Sequence, residues 1–233
     1  MRRTMLFLPS NNPNMLINGG QLGADSLIFD LEDAVSPDEK DAARDLLKNT
    51  LESLDFGKCE RIVRINGLDT DYWMEDLRAI LPLRPETIMP PKVSGAAYIH
   101  QLDEALTALE AELGIPSGST KILALLETAA GIENAYEVPA HLPHAGLFLG
   151  AEDLTADLHS RRTKEGSEIL YAAAASSVPP ALRECACTTR RLRTCRIWKV
   201  LKKMPPMPGD SAFLAKPASA GPCGYREPDF LAQ

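Results

Sequence analysis

Between Thr4 and Leu149 the chain sets down six short runs that are apolar on both faces, with amphipathic segments between them. A strand apolar on both sides has to be covered on both sides, and helices packed on a parallel sheet do that. The runs Thr4–Pro9, Ser26–Asp30, Arg61–Ile65, Thr87–Met89, Lys121–Leu126 and Gly146–Leu149 are therefore predicted strands. Asn11–Leu22 is a predicted helix, and so is most of Asp33–Leu51, with Ser36 and Pro37 as its N-cap and first turn. Trp73–Leu81 is a third. Ala97–Leu113 carries apolar residues at Leu102, Leu106, Leu109 and Leu113 and stops at Gly114 and Pro116. A further helix starts near Ala129.

Six β/α units within 171 residues fit an incomplete TIM (β/α)8-type barrel that lacks two units. A doubly wound sheet is the competing architecture. No glycine-rich phosphate loop follows the first predicted strand, which weighs against a dinucleotide-binding fold.

The pattern ends near Tyr171. Residues 1–171 hold 15 Lys and Arg against 28 Asp and Glu, whereas residues 172–233 hold 10 against 4. Cys185, Cys187, Cys195 and Cys223, and eight of the 18 prolines, also fall in that last part. The expected division is a barrel domain over 1–171 and an atypical basic, Cys- and Pro-rich tail over 172–233. The overall charge of -7 weighs against a nucleic-acid partner. No apolar run approaches the roughly 18 residues that cross a bilayer. The apolar run that follows Met1–Thr4 ends at Pro9 without a cleavage site. The expectation is a cytoplasmic protein with free thiols and no membrane contact.

Parallel α/β folds build their sites at the carboxyl ends of strands. Asp30, Glu32 and Asp33 follow the second strand. Arg64 and Asn66 close the third, Lys92 follows the fourth, Glu127 the fifth, and Glu152 and Asp153 the sixth. Acids brought together there need a cation to stay ionised. Mg²⁺ suits them, because it takes oxygen ligands and usually only one or two carboxylates beside water and substrate. His100, His141, His144 and His159 are scattered and read as surface or loop residues. Each acid also has a plain structural role open to it, as a helix cap or first-turn acid. Arg64 has one too, as an ion-pair partner of those acids, and Arg161 and Arg162 read as a solvated charge run, with an acyl-carrier phosphopantetheine as the other possible partner.

Six segments in order carry a resemblance: Arg3–Pro9 (RTMLFLP), Asp25–Ser36 (DSLIFDLEDAVS), Val63–Asn66 (VRIN), Pro91–Lys92, Leu126–Gly131 (LETAAG) and Gly150–Leu154 (GAEDL). Together they resemble the citrate lyase β-subunit and the wider family of HpcH/HpaI-type aldolases and malyl-CoA lyases. The resemblance implies a TIM barrel in which Glu127 and Asp153 hold Mg²⁺ and Arg64 contacts substrate oxygens. It implies that Asp30 and Glu32 line the metal pocket and that the backbone at Ala151 and Glu152 holds a substrate carboxylate, with Lys92 as a further substrate-binding candidate. The substrate it implies is a citryl thioester on an acyl carrier, cleaved to oxaloacetate and an acetyl thioester. The partners it implies are the α-subunit and acyl carrier subunit of citrate lyase, in an oligomer. A stand-alone lyase of malyl-CoA or citramalyl-CoA, and a catalytically impaired truncated member, are the alternatives.

After Ala172 the family would continue with a segment like DTPFTDV-x-D-x-EGL, which this chain lacks. With permitted codons, Thr188–Pro205 (TTRRLRTCRIWKVLKKMP) read one frame over gives DTPFTDVQDMEGLKKDA, and Trp198–Lys199 must yield the Glu. The hypothesis is that the tail is encoded out of frame. The competing reading is a lineage-specific tail, in which Cys185 and Cys187 bind metal.

Overall fold

The computed structural model describes residues 2–138 and 146–177, together with the backbone of Ala218–Ser219. The expectations that rest on His141, His144 and the cysteines of the tail lie outside the described residues. The chain divides into two compact units, one of Met1–Pro91, Ala97–Leu123 and Ala215–Gln233, the other of Lys92–Ala96 and Ala124–Leu214.

In the first unit β1 (Met5–Pro9), β2 (Ser26–Asp30), β3 (Glu60–Arg64), β4 (Thr87–Met89) and the start of β5 (Lys121–Leu126) pair in parallel, in chain order. The crossovers are α1 (Pro13–Gly19), α2 (Lys40–Ser53), α3 (Trp73–Ile80) and α4 (Ala96–Glu112). In the second unit the end of β5 neighbours β6 (Gly146–Leu149), with α5 (Ala129–Glu133) and α6 (Ala151–Asp157) following these strands. These are six consecutive β/α units of an incomplete (β/α)8-type barrel. A two-residue strand, β7 (Ala218–Ser219), pairs in parallel with Leu6 and Phe7. The β1 edge thus carries a short strand on the side where an eighth barrel strand would pair.

Register sorts the side chains of the first unit into two faces. Ser26 and Glu60 lie side by side, as do Ile28 and Ile62, then Asp30 and Arg64. Alternate residues form the other face, where Leu27, Phe29 and Val63 are fully buried. Helix α1 seats there: a Cβ on Gly19 would stand 2.6 Å from Leu8 Cδ1 and 3.6 Å from Leu27 Cδ1. The first face is polar at both ends. At its amino end Glu60 accepts both Nε and NH2 of Arg2 at 2.6 Å, Ser26 Oγ at 2.9 Å and Thr87 Oγ1 at 2.8 Å.

Helix α1 is shorter than its pattern. Asn12 caps it by accepting the Met15 amide at 3.2 Å, and Pro13 fills the first turn. Residues 33–36 form a loop rather than the start of a helix. Pro37–Glu39 is a 3-10 turn, Ser36 makes no side-chain cap, and α2 begins only at Lys40.

Candidate active site

In the first unit the carboxyl ends of β2 and β3 bring Arg64, Asp30, Glu32 and Asp33 together. Arg64 donates from Nε and NH2 to the two oxygens of Asp30, at 2.7 and 2.5 Å. Its NH1 lies 3.0 Å from Glu32 Oε2 and 3.8 Å from Asp33 Oδ2. The guanidinium stands 5.2 Å from the centre of the Phe7 ring, within cation–π range. Asp30 also accepts the amides of Glu32 at 2.9 Å and Ala34 at 3.3 Å. All four acceptor positions of that carboxylate are then engaged, so Asp30 holds both Arg64 and the loop that carries Glu32.

Lys40 was not among the sequence candidates. Its Nζ donates to the carbonyls of Leu31 and Glu32, both at 2.7 Å, from the first turn of α2. Burial pulls its ammonium below the usual lysine range, against the attraction of Glu32 and Asp30. Arg44, Asp76 and Asn66 complete the set. Asp76, 1% exposed, accepts Arg44 Nε at 3.0 Å and the Asn66 amide at 2.9 Å. Burial works most strongly against the charge on Arg44, but Asp76, Asp41 and Glu75 together outweigh it and leave its pKa raised. Arg64 thus pairs with Asp30 and Glu32 and Arg44 with Asp76, while Lys40 sits on the carbonyls beside them. The Arg64 guanidinium thus stands among the acids of the second strand that were expected to line a metal pocket.

In the second unit Glu127 follows β5 and is 2% exposed. Thr128, not Glu127, caps α5, accepting the Gly131 amide at 3.1 Å. Glu127 Oε1 accepts the main-chain amide of Lys92 at 2.9 Å. To present that amide Lys92 takes φ 50°, a left-handed backbone that is costly for a non-glycine residue. Its side chain is exposed. Gly150 lies against the same carboxylate: a Cβ there would stand 2.7 Å from Glu127 Oε2. At Gly131 a Cβ would run into the Val93 carbonyl oxygen. Both positions therefore require glycine.

Ala151, Glu152 and Asp153 form the first turn of α6, with Ala151 buried and the two acids exposed. Glu152 meets Arg162 Nε at 3.1 Å, and Arg162 also pairs with Glu168. Arg162 is thereby an ion-pair bridge rather than part of a solvated charge run. The donor set of Glu127 and Asp153 is all oxygen, which suits a hard divalent cation. Among the described residues no group of three or more His, Cys, Asp or Glu is placed to hold a metal. A cleft of about 800 Å³ lies at the other end of the first unit's strands, lined by Arg2, Asp25, Phe56 and Glu60. Of its charged groups, Arg2 pairs with Glu60 and Asp25 with Arg3.

Residues 3–185 match the HpcH/HpaI aldolase/citrate lyase family. The chain is 46% identical over 173 residues to the citrate lyase subunit beta of Leuconostoc mesenteroides subsp. cremoris, covering 74% of this chain and 57% of that protein. It is 43% identical over 159 residues to a (3S)-malyl-CoA thioesterase of Cereibacter sphaeroides, covering 68% of this chain and 52% of that protein. Among solved structures it is similar to CitE of Mycobacterium tuberculosis in complex with magnesium, acetoacetate and coenzyme A. The TM-score is 0.63 and the identity 31%, over 78% of this chain and 62% of that one. The chain thus spans little more than half the length of these curated relatives.

Proposed function

Because the chain belongs to the HpcH/HpaI aldolase/citrate lyase family, we propose that it is a Mg²⁺-dependent carbon–carbon lyase of the citrate lyase β-subunit type. It cleaves a citryl thioester to oxaloacetate and an acetyl thioester. The carrying observation is the buried Arg64, held at the carboxyl end of β3 by the carboxylates of Asp30 and Glu32. The 46% identity to a citrate lyase subunit beta supports the same reading.

Glu127 and Asp153 are the proposed metal ligands. The Lys92 amide fixes one oxygen of Glu127, and Gly150 leaves room for the other. When bound, Mg²⁺ supplies Lewis-acid chelation of the hydroxyl and carboxylate of the oxaloacetate half. Arg64 stabilises negative charge on the substrate oxygen as the carbon–carbon bond breaks. Asp30 and Glu32 keep its plane oriented. Since the acceptor positions of Asp30 are engaged, it positions Arg64 rather than taking a proton. The backbone of Ala151 and Glu152, and the exposed Lys92 side chain, hold substrate carboxylates. The thioester arm belongs to an acyl carrier subunit or to coenzyme A. The α-subunit and acyl carrier subunit of citrate lyase are the proposed partners, in a cytoplasmic oligomer; among the described residues no helix is long and apolar enough to cross a membrane.

Titration of the 233-residue chain with Mg²⁺, with and without oxaloacetate, tests this. Tightened binding with oxaloacetate, lost in Glu127→Gln and Asp153→Asn, is expected. A wild-type chain that binds neither would sink the assignment. The malyl-CoA thioesterase relatives favour a second reading, a stand-alone lyase of a CoA thioester. Turnover of malyl-CoA or citramalyl-CoA without an acyl carrier would establish it.

The change in composition after Tyr171 favours a third reading, a family member with impaired turnover. We place the lyase domain in residues 1–171 and read residues 172–233 as out of frame. Sequencing the DNA that encodes residues 165–233 decides that point. A sound frame would refute it, and wild-type-like turnover would refute the impairment.

A further inference from the structure

Asn66 sits two residues beyond Arg64, at the carboxyl end of β3, and is 3% exposed. Its orientation is set from α3. Asp76 Oδ2 accepts both the main-chain amide of Asn66 at 2.9 Å and its Nδ2 at 2.7 Å. The other oxygen, Oδ1, accepts Arg44 Nε at 3.0 Å. An ionised carboxylate only accepts hydrogen bonds. The Asn66 amide must therefore turn Nδ2 to Asp76 and Oδ1 away from it. A buried arginine on the far oxygen holds the carboxylate, and with it the amide, in that sense.

We propose that Asn66 Oδ1 accepts the hydrogen of the substrate's hydroxyl, which makes Asn66 the residue that selects a hydroxy acid over the matching keto acid. Asp76 and Arg44 are positioning residues that act through it. The inference rests on the reading of Arg64 as the group that binds substrate oxygen. A hydroxyl both accepts and donates, so it satisfies Arg64 and Asn66 together. A ketone oxygen satisfies Arg64 alone and leaves a fixed acceptor facing it, a mismatch of the order of tenfold in affinity.

Malate and oxaloacetate differ only at that group and are suitable probes. Calorimetric titration of the full chain with each, in the presence of Mg²⁺, should show malate bound about tenfold more tightly. Asp76→Asn offers Asn66 an amide hydrogen in place of a lone pair and allows its amide to turn over. The preference should then fall to about one or invert. Asn66→Ala, which leaves Asp76 its bond to Arg44, should abolish the preference with an unchanged circular dichroism spectrum, and it decides the matter if Asp76→Asn fails to fold. A purely structural role predicts equal weakening of both ligands; an unchanged ratio in the variants overturns the inference while the reading of the site stands. A wild-type chain that binds neither ligand overturns both.

Discussion

Arg64 and Asp30 meet through two near-parallel hydrogen bonds of 2.7 and 2.5 Å, with 9% and 2% of their side chains exposed. Removing one member of such a pair leaves the other buried and uncompensated. Asp30→Ala should lower stability by about 3 kcal/mol, because it also frees the amides of Glu32 and Ala34. Arg64→Lys keeps the charge but not the fork, and should cost less stability while weakening oxaloacetate binding. Urea unfolding of the two variants checks the order; equal losses would refute the clamp.

Gly150→Ala places a methyl group 2.7 Å from Glu127 Oε2 and 2.8 Å from Glu127 Cβ. The carboxylate has to move, so Mg²⁺ affinity should fall by about tenfold or more while stability falls by about 1–2 kcal/mol. Unchanged Mg²⁺ affinity, measured calorimetrically in a folded variant, would remove Glu127 from the proposed metal site.

Lys92 supplies Glu127 with an amide from a backbone at φ 50°. Lys92→Gly keeps that amide and relieves the strain, so stability should rise or stay within about 1 kcal/mol. Lys92→Pro has no amide and cannot adopt the angle, and should lose about 3 kcal/mol. Thermal unfolding of both variants discriminates; a marked loss in Lys92→Gly would show that the side chain matters more than the backbone.

Glu60 titrates at about 2, below its ordinary 4.5. Burial raises its pKa, but the hydrogen bonds from Arg2, Thr87 and Ser26 outweigh it. A carboxylate with a lowered folded pKa stabilises above its unfolded value. That contribution, about 2 kcal/mol after screening at a partly exposed site, should be lost as the pH falls from 4.5 to about 2. Glu60→Gln should flatten the acid limb of stability against pH; an unaltered limb would count against the network.

The strands Ser26–Asp30, Thr87–Met89, Lys121–Leu126 and Gly146–Leu149 lie where their apolar runs place them. Burial on both faces, as in Ser26–Asp30 and Thr87–Met89, leaves a signal that a sequence displays directly. The segment Asp33–Leu51 was less legible. Its helical period hides a loop held by the Asp30 carboxylate and the Lys40 ammonium, bonds made across several residues. The strand-end rule finds Asp30, Arg64 and Glu127, but not which charge neutralises which. Lys40 and Asp76 escape notice because charged residues on an amphipathic helix are ordinarily solvated, and only the packed structure shows them buried. Gly131 and Gly150 are visible as letters, and their necessity only as distances.

The matched register of β2 and β3 sets Ser26 with Glu60 at one end and Asp30 with Arg64 at the other, with Ile28 and Ile62 between. Four residues of strand separate the two polar rows by about 13 Å, far enough for substitutions in one to leave the other's energetics alone. Such a sheet is insulated from its own chemistry. The row at the carboxyl ends is free to be redrawn for a new ligand while the row at the amino ends goes on holding the strands.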